Sequence, residues 1–241
     1  MANLNGQVAL VTGASRGIGQ AIALRMAGAG ADLVLAARSQ PQLQAVAAAI
    51  EATGHRAAIA PTDVADEASV ARMVQTSLAT FGRIDILVNN AGTNYHGPLL
   101  DSSVADFDRV MGINLRGPYL CIREVLPHMV ARRSGLIINV LSRAVNRVYE
   151  GGGLYLASKA GLLGLTKVLA REAQAHNVRV VALFPGQVDT AFGRKPEGHP
   201  DHAPYLKTDE VAALVVALAS LPPGAVVSQA AIESIRQPLR W

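Results

Sequence analysis

Tyr155 and Lys159 stand four positions apart, with Ser142 thirteen residues upstream of the tyrosine. If a helix opens at Tyr155, Lys159 falls on the same face one turn later. A cation there favours the ionised form of a neighbouring phenol, whose ordinary pKa is about 10. A phenol tuned in this way can deliver or accept a proton at neutral pH. The pair alone is a weak signal, because such spacing arises readily by chance, so its meaning depends on the elements around it.

The second group of interest is TGASRGIG, Thr12 to Gly19. Its glycines, Gly13, Gly17 and Gly19, allow a tight turn and let a pyrophosphate approach backbone N–H groups at a helix start. Residues 7–11 form an apolar run that reads as a buried strand, and residues 20–29 read as a helix closed by Gly28 and Gly30. Strand, glycine-rich turn and helix are the context a dinucleotide site requires. The plainer alternative is a βα turn without a ligand. After the next strand, residues 32–36, a cofactor with a free ribose 2′-hydroxyl usually meets a carboxylate. Here that place is Ala37, followed by Arg38. A guanidinium in place of a carboxylate favours a 2′-phosphate, and Arg16 could add a second positive charge. The expected cofactor is therefore NADP(H), although both arginines can also be read as solvated side chains.

The rest of the chain alternates in the same way. Residues 42–53 read as a helix after Pro41 and residues 57–60 as a strand. Asp63-Val64 follows, where Asp63 could accept from an adenine amino group or cap the next helix, 67–81. Residues 84–88 read as a strand ending in Asn89-Asn90-Ala91-Gly92. These sit where open α/β sheets bind ligands, but their amides could equally tie neighbouring turns together. Residues 104–132 read as a long helical segment interrupted at Gly112 and at Gly117-Pro118. Asn114 lies at the interruption, and on pattern alone it reads as a local cap. Residues 135–140 form a strand with Ser142 just beyond its end, 155–176 a helix, and 178–184 a strand before the Pro185-Gly186 turn. Residues 211–219 read as a buried helix capped by Thr208, and residues 230–235 as the last strand. This alternation implies an α/β, single-domain, Rossmann-like doubly wound fold spanning residues 1–241, with about seven parallel strands and helices on both faces.

Residues 191–206 are rich in proline, glycine and histidine and read as a mobile lid over a substrate, with an ordinary solvated loop as the plain alternative. His199, Asp201 and His202 invite a metal reading, but close spacing without a rigid scaffold argues against one, so no metal is expected.

Composition narrows the classes. Half of the 241 residues are apolar, 17% are charged, and the net charge of +4 is spread along the chain. With no basic stripe and 4% aromatics, nucleic acid is not an expected partner, and an anionic small molecule suits scattered arginines better. The single Cys121 excludes an internal disulfide framework and a zinc site built on several cysteines. A reduced thiol in an apolar run fits the cytoplasm. The N-terminal residues lack the pattern of a signal peptide, and no stretch of about 18 apolar residues predicts a membrane span.

With these residues in place, the chain resembles the short-chain dehydrogenase/reductase family over about residues 7–190. The resemblance is carried by TGASRGIG, Asp63-Val64, NNAG from Asn89 to Gly92, Asn114, Ser142, YLASK from Tyr155 to Lys159, and PGQVDT from Pro185 to Thr190. It implies that Tyr155 is the general acid in carbonyl reduction and the base in alcohol oxidation. It also implies that Lys159 lowers the phenol's pKa and binds the nicotinamide ribose, that Ser142 hydrogen-bonds the substrate oxygen, and that Asn114 holds a water relaying protons to Lys159. Ser15 and Ile18, with the three glycines, would line the pyrophosphate, with Arg16 beside them for the 2′-phosphate. Asp63 and Val64 would meet the adenine, and Asn90, Ala91 and Gly92 would line the cofactor crevice. Pro185, Gly186, Val188 and Thr190 would cover the nicotinamide carboxamide. The implied activity is NADPH-dependent interconversion of a ketone and a secondary alcohol, in its most specific form 3-oxoacyl thioester reduction. A non-catalytic NADP-binding regulator of the same fold is the alternative. Residues 221–241 depart from the family pattern, since no glycine pair follows the last strand. A homodimer through residues 110–130 and 157–175 is thus expected ahead of a homotetramer.

Overall fold

The structure is a computed structural model and describes residues 3–193 and 195–238. Seven strands, Val8–Thr12 (β1), Asp32–Ala37 (β2), Ala57–Pro61 (β3), Ile86–Asn89 (β4), Gly135–Val140 (β5), Val178–Pro185 (β6) and Gln229–Ile232 (β7), form one sheet in the order β3-β2-β1-β4-β5-β6-β7. Every pairing is parallel. The helices are Gly17–Gly28 (α1), Gln40–Glu51 (α2), Glu67–Phe81 (α3), Val104–Met111 (α4), Gly117–Arg132 (α5), Gly153–Gln174 (α6) and Thr208–Ala219 (α7).

The central strands are continuous apolar runs because both their faces are covered. On one face α1, α2 and α7 bury Ile22, Met26, Leu43 and Val215 against Leu33 and Leu35. On the other, α3, α5 and α6 bury Val70, Cys121 and Leu169 against Leu10 and Leu87. Cys121 is fully buried, and burial pushes its thiol up to about 12. Strand order reverses between β1 and β4, which opens a crevice at the carboxyl ends of these strands.

Several boundaries differ from the sequence reading. Helix α1 starts at Gly17, three residues early, because Gly17 and Gly19 form its first turn instead of a separate loop. The strand expected over 84–88 is Ile86–Asn89, since ladder pairing to Ala9 and Leu136 begins only at Ile86. The final strand ends at Ile232 and not at residue 235. Thr208 does not cap α7. Lys207 holds the cap position, and its N–H donates to Glu210 at 2.6 Å. Capping of α3 falls to Asp66, which accepts from Ser69 N–H at 2.8 Å, and not to Asp63. The segment 104–132 is interrupted where expected: α4 ends at Met111, Gly112–Arg116 forms a π-helical turn, and α5 begins at Gly117. Gly117 is small for a different reason, since a Cβ there would lie 2.9 Å from the Val64 side chain.

Candidate active site

The glycine turn is built by close approach. Gly13 has φ +68°, and a Cβ on Gly19 would lie 2.2 Å from the Gly13 carbonyl oxygen. Only glycine fits there, so backbone N–H groups line the start of α1 without side chains in the way. Ser15 and Ile18 flank it, and Ile18 packs partly into the core. Asn90 links the two central strands: its side-chain amide donates to Thr12 O at 3.0 Å. Thr12, which the sequence reading passed over, accepts from the N–H groups of Asn90 and Ala91, each at 3.0 Å. Arg16 and Arg38 are exposed, and neither guanidinium is ion-paired among the described residues. Asp63 is exposed at the end of β3, with one oxygen accepting from Ala65 N–H at 3.0 Å. A dinucleotide phosphate fits this cradle, which a single added methyl would fill.

Ser142, Tyr155 and Lys159 converge beyond the ends of β5 and the start of α6. Tyr155 is in the first turn of α6 and 8% exposed, while Lys159 is 4% exposed one turn on. The Lys159 ammonium donates to Val140 O at 2.8 Å and lies 5.8 Å from the centre of the Tyr155 ring. Burial pulls Lys159 down to about 8. The phenol departs from the sequence expectation of a lowered pKa. Burial pushes Tyr155 up to about 12, opposed by its hydrogen bond with Ser142 and aided by the nearby Tyr149. Desolvation outweighs the lysine here because the ammonium is turned to a backbone carbonyl and its own charge is costly at this depth.

Asn114 is fully buried in the π turn. Its Oδ1 accepts from Thr93 N–H at 2.8 Å, and its Nδ2 donates to Thr93 O at 2.9 Å and to Ser158 Oγ at 3.0 Å. Ser158 in turn donates to Tyr155 O at 2.7 Å. The asparagine amide therefore ties the loop after β4 to the first turn of α6, and the local-cap reading does not describe it.

The segment after β6 closes the site. A Cβ on Gly17 would lie 3.5 Å from Thr190, and one on Gly92 would lie 3.7 Å from Phe192, whose ring centre is 5.9 Å from that of Tyr155. Pro185 ends β6, and Gly186 N–H donates to Ile232 O at 2.8 Å. Val188 bridges to Leu206, which joins the two ends of the 191–206 loop. Asp189 fastens this loop from within, accepting from Gly198 N–H at 2.8 Å, His202 Nδ1 at 2.8 Å and Lys207 Nζ at 2.9 Å. The Lys207 ammonium, with these other donors, holds its carboxyl well below the usual range. Asp201 pairs with Lys195, and His202 stacks on Tyr205. His202 and Asp201 are thus engaged separately, and no group of three or more His, Cys, Asp or Glu among the described residues could hold a metal ion. Arg194 lies outside the described residues.

Sequence reasoning assigned no role to Ser158, Asp189, Phe192, Arg143, Arg147 or Glu233. Ser158 and Asp189 lie inside motifs it quoted. The others carry no local signal, because their partners are distant in the chain.

The protein-family model for short chain dehydrogenases matches residues 7–199. The chain is 38% identical over 234 residues to a 3-oxoacyl-[acyl-carrier-protein] reductase of Synechocystis, covering 95% of each chain. Among solved structures, an alcohol dehydrogenase from the archaeon Thermococcus sibiricus complexed with 5-hydroxy-NADP superposes with a TM-score of 0.92 at 33% identity, covering 98% of this chain and 99% of that one. A metagenomic short-chain oxidoreductase in complex with NADP superposes at 0.85 with 37% identity, covering 95% and 97%.

Proposed function

The chain belongs to the short-chain dehydrogenase family and is an oxidoreductase of that family, and on this premise we propose that it reduces a ketone to a secondary alcohol with NADPH, using Tyr155 as general acid. When bound, the cofactor supplies the hydride. Gly13, Ser15, Gly17, Ile18 and Gly19 hold its pyrophosphate, Arg38 and Arg16 its 2′-phosphate, and Asp63 and Val64 its adenine. Asn90, Ala91, Gly92, Pro185, Gly186, Val188 and Thr190 enclose the nicotinamide end.

The observation that carries this reading is the buried Tyr155 phenol in the first turn of α6, with the buried Lys159 ammonium 5.8 Å from its ring centre. Burial keeps the phenol protonated far above neutral pH, as an acid that waits for a carbonyl oxygen must be. Ser142 donates to the same oxygen as negative charge develops on it. Once Tyr155 Oη has given up its proton, the Lys159 ammonium stabilises the phenolate and resupplies the proton, drawing on water at the Asn114 main-chain carbonyl. The nearly complete overlap with the Synechocystis reductase favours a 3-oxoacyl thioester as substrate. The enzyme acts as a homodimer, and a cytoplasmic location suits its single buried thiol.

The test is oxidation of NADPH and of NADH against simple ketones and acetoacetyl-CoA. Turnover is expected with NADPH in preference to NADH, and Tyr155→Phe should lower kcat by roughly 10²–10⁴. A Tyr155→Phe enzyme as active as wild type would overturn the assignment.

A further inference from the structure

The four residues after Ser142 form a single short 3-10 turn, Arg143–Asn146. Its local support is slight: Val145 N–H donates to Ser142 O at 3.2 Å and Arg147 N–H to Ala144 O at 3.1 Å. One such turn is marginal on its own, because its hydrogen bonds are poorly aligned. Yet the turn sets the direction of the serine hydroxyl, since Ser142 Oγ accepts from Ala144 N–H at 3.1 Å. Any rotation of the turn therefore moves Oγ relative to Tyr155.

A single carboxylate spans this turn from outside. Glu233 Oε1 pairs with Arg143 Nη2 at 2.8 Å, and Glu233 Oε2 pairs with Arg147 Nη2 at 2.9 Å. The Arg143 and Glu233 side chains are 18% and 19% exposed, so little water competes for the pair. Glu233 is not on a loose tail. It follows directly on β7, where Ile232 O accepts from Gly186 N–H at 2.8 Å, and Ser234 beyond it is buried. The sheet thus delivers the carboxylate to a fixed place beside Gly186 and across from Ser142. The C-terminal stretch is the part of the chain that departs from the family pattern, and the arginines it meets flank the serine turn.

We propose that Glu233 is a positioning residue, which holds the Ser142 turn through Arg143 and Arg147 and so fixes where the serine hydroxyl meets Tyr155 and the substrate oxygen. The inference rests on the role of Ser142 proposed above. It makes the end of the chain part of the reducing site although it touches no reacting atom.

The experiment compares wild type, Ser142→Ala, Glu233→Gln, Arg143→Gln and the Glu233→Gln/Arg143→Gln double variant, with NADPH and the ketone that wild type reduces fastest. Circular dichroism checks folding, and NADPH fluorescence gives the cofactor Kd. Glu233→Gln should lower kcat roughly ten- to a hundredfold with the NADPH Kd changed by less than about twofold, as expected when a reacting group is slightly misplaced. The double variant should be no worse than Glu233→Gln alone, because both changes break one connection. A folded Glu233→Gln enzyme with wild-type kcat would overturn the inference, as would a double variant whose losses simply multiply. Should Glu233→Gln fail to fold, Arg143→Gln decides alone by the same kcat criterion. Loss of activity in Ser142→Ala with none in Glu233→Gln would sink only this inference. Full activity in Ser142→Ala would sink the reading of the serine and the inference with it.

Discussion

Lys159 shows most directly how the site trades stability for chemistry. Its folded pKa is about 8 against an ordinary 10.5, and burial is the cause. Between those values the unfolded chain binds one proton more than the folded one, so stability rises with pH across that window. At neutral pH the buried ammonium therefore costs up to about 3 kcal/mol, at roughly 1.4 kcal/mol per unit. Lys159→Met removes that cost but leaves the Val140 carbonyl without its donor, a loss of about 1–3 kcal/mol. Thermal melts of Lys159→Met should show a gain over wild type of about 1 kcal/mol at pH 7 that vanishes at pH ~9 and becomes a loss of about 1 kcal/mol by pH ~10, alongside loss of reduction. In wild type, the reduction rate should fall as pH rises through about 8, where Lys159 loses its proton, because the phenol at about 12 keeps its own. A rate that stays flat to pH 10 would contradict the relay. The types of these residues were legible in the sequence, since Tyr155, Lys159 and Ser142 fall at element starts and ends. The direction of the phenol's shift was not, because it depends on how deeply α6 is packed and where the ammonium turns.

At the scale of elements, the β1–turn–α1 unit is the most constrained part of the crevice. Gly19→Ala would place a methyl 2.2 Å from the Gly13 carbonyl oxygen and 2.5 Å from the Asn90 amide nitrogen. The turn has to open, so NADPH affinity should fall by at least tenfold, about 1.4 kcal/mol, in a fluorescence titration. Unchanged affinity would show that the phosphate does not use this turn. The alternation of strands and helices could be read from the sequence because apolar runs and glycine or proline breaks are local signals. Element ends were read less well where tertiary contacts decide them: Asp66 outcompetes Asp63 as a cap, and Lys207 takes the place expected of Thr208. The interruption around Asn114 was legible from Gly112 and Gly117-Pro118, but its π shape was not, because Asn114 answers to Thr93 and Ser158 from other parts of the chain. The clasp at Asp189 and the Glu233 bridge were illegible for the same reason.

For the whole molecule, the face made by α4, α5 and α6 exposes several large apolar side chains beside the charged Asp108 and Arg116. Val104, Phe107, Tyr119 and Val168 are exposed on it, around a groove lined by Met111, Leu115 and Leu165. The homodimer proposed above would bury this face. Light scattering should give twice the 25.2 kDa chain mass, and Val168→Glu should shift the population towards the monomer. A monomeric wild type would refute the dimer. On the same side of the sheet, but one layer deeper, lies the chain's only thiol. Cys121 has no access to solvent and a thiol pushed up to about 12, so an alkylating reagent can modify it only in molecules whose α5 layer has come away from the sheet. Because no second cysteine competes, the labelling rate of the unaltered protein is a clock for core opening, wound by the sequence itself.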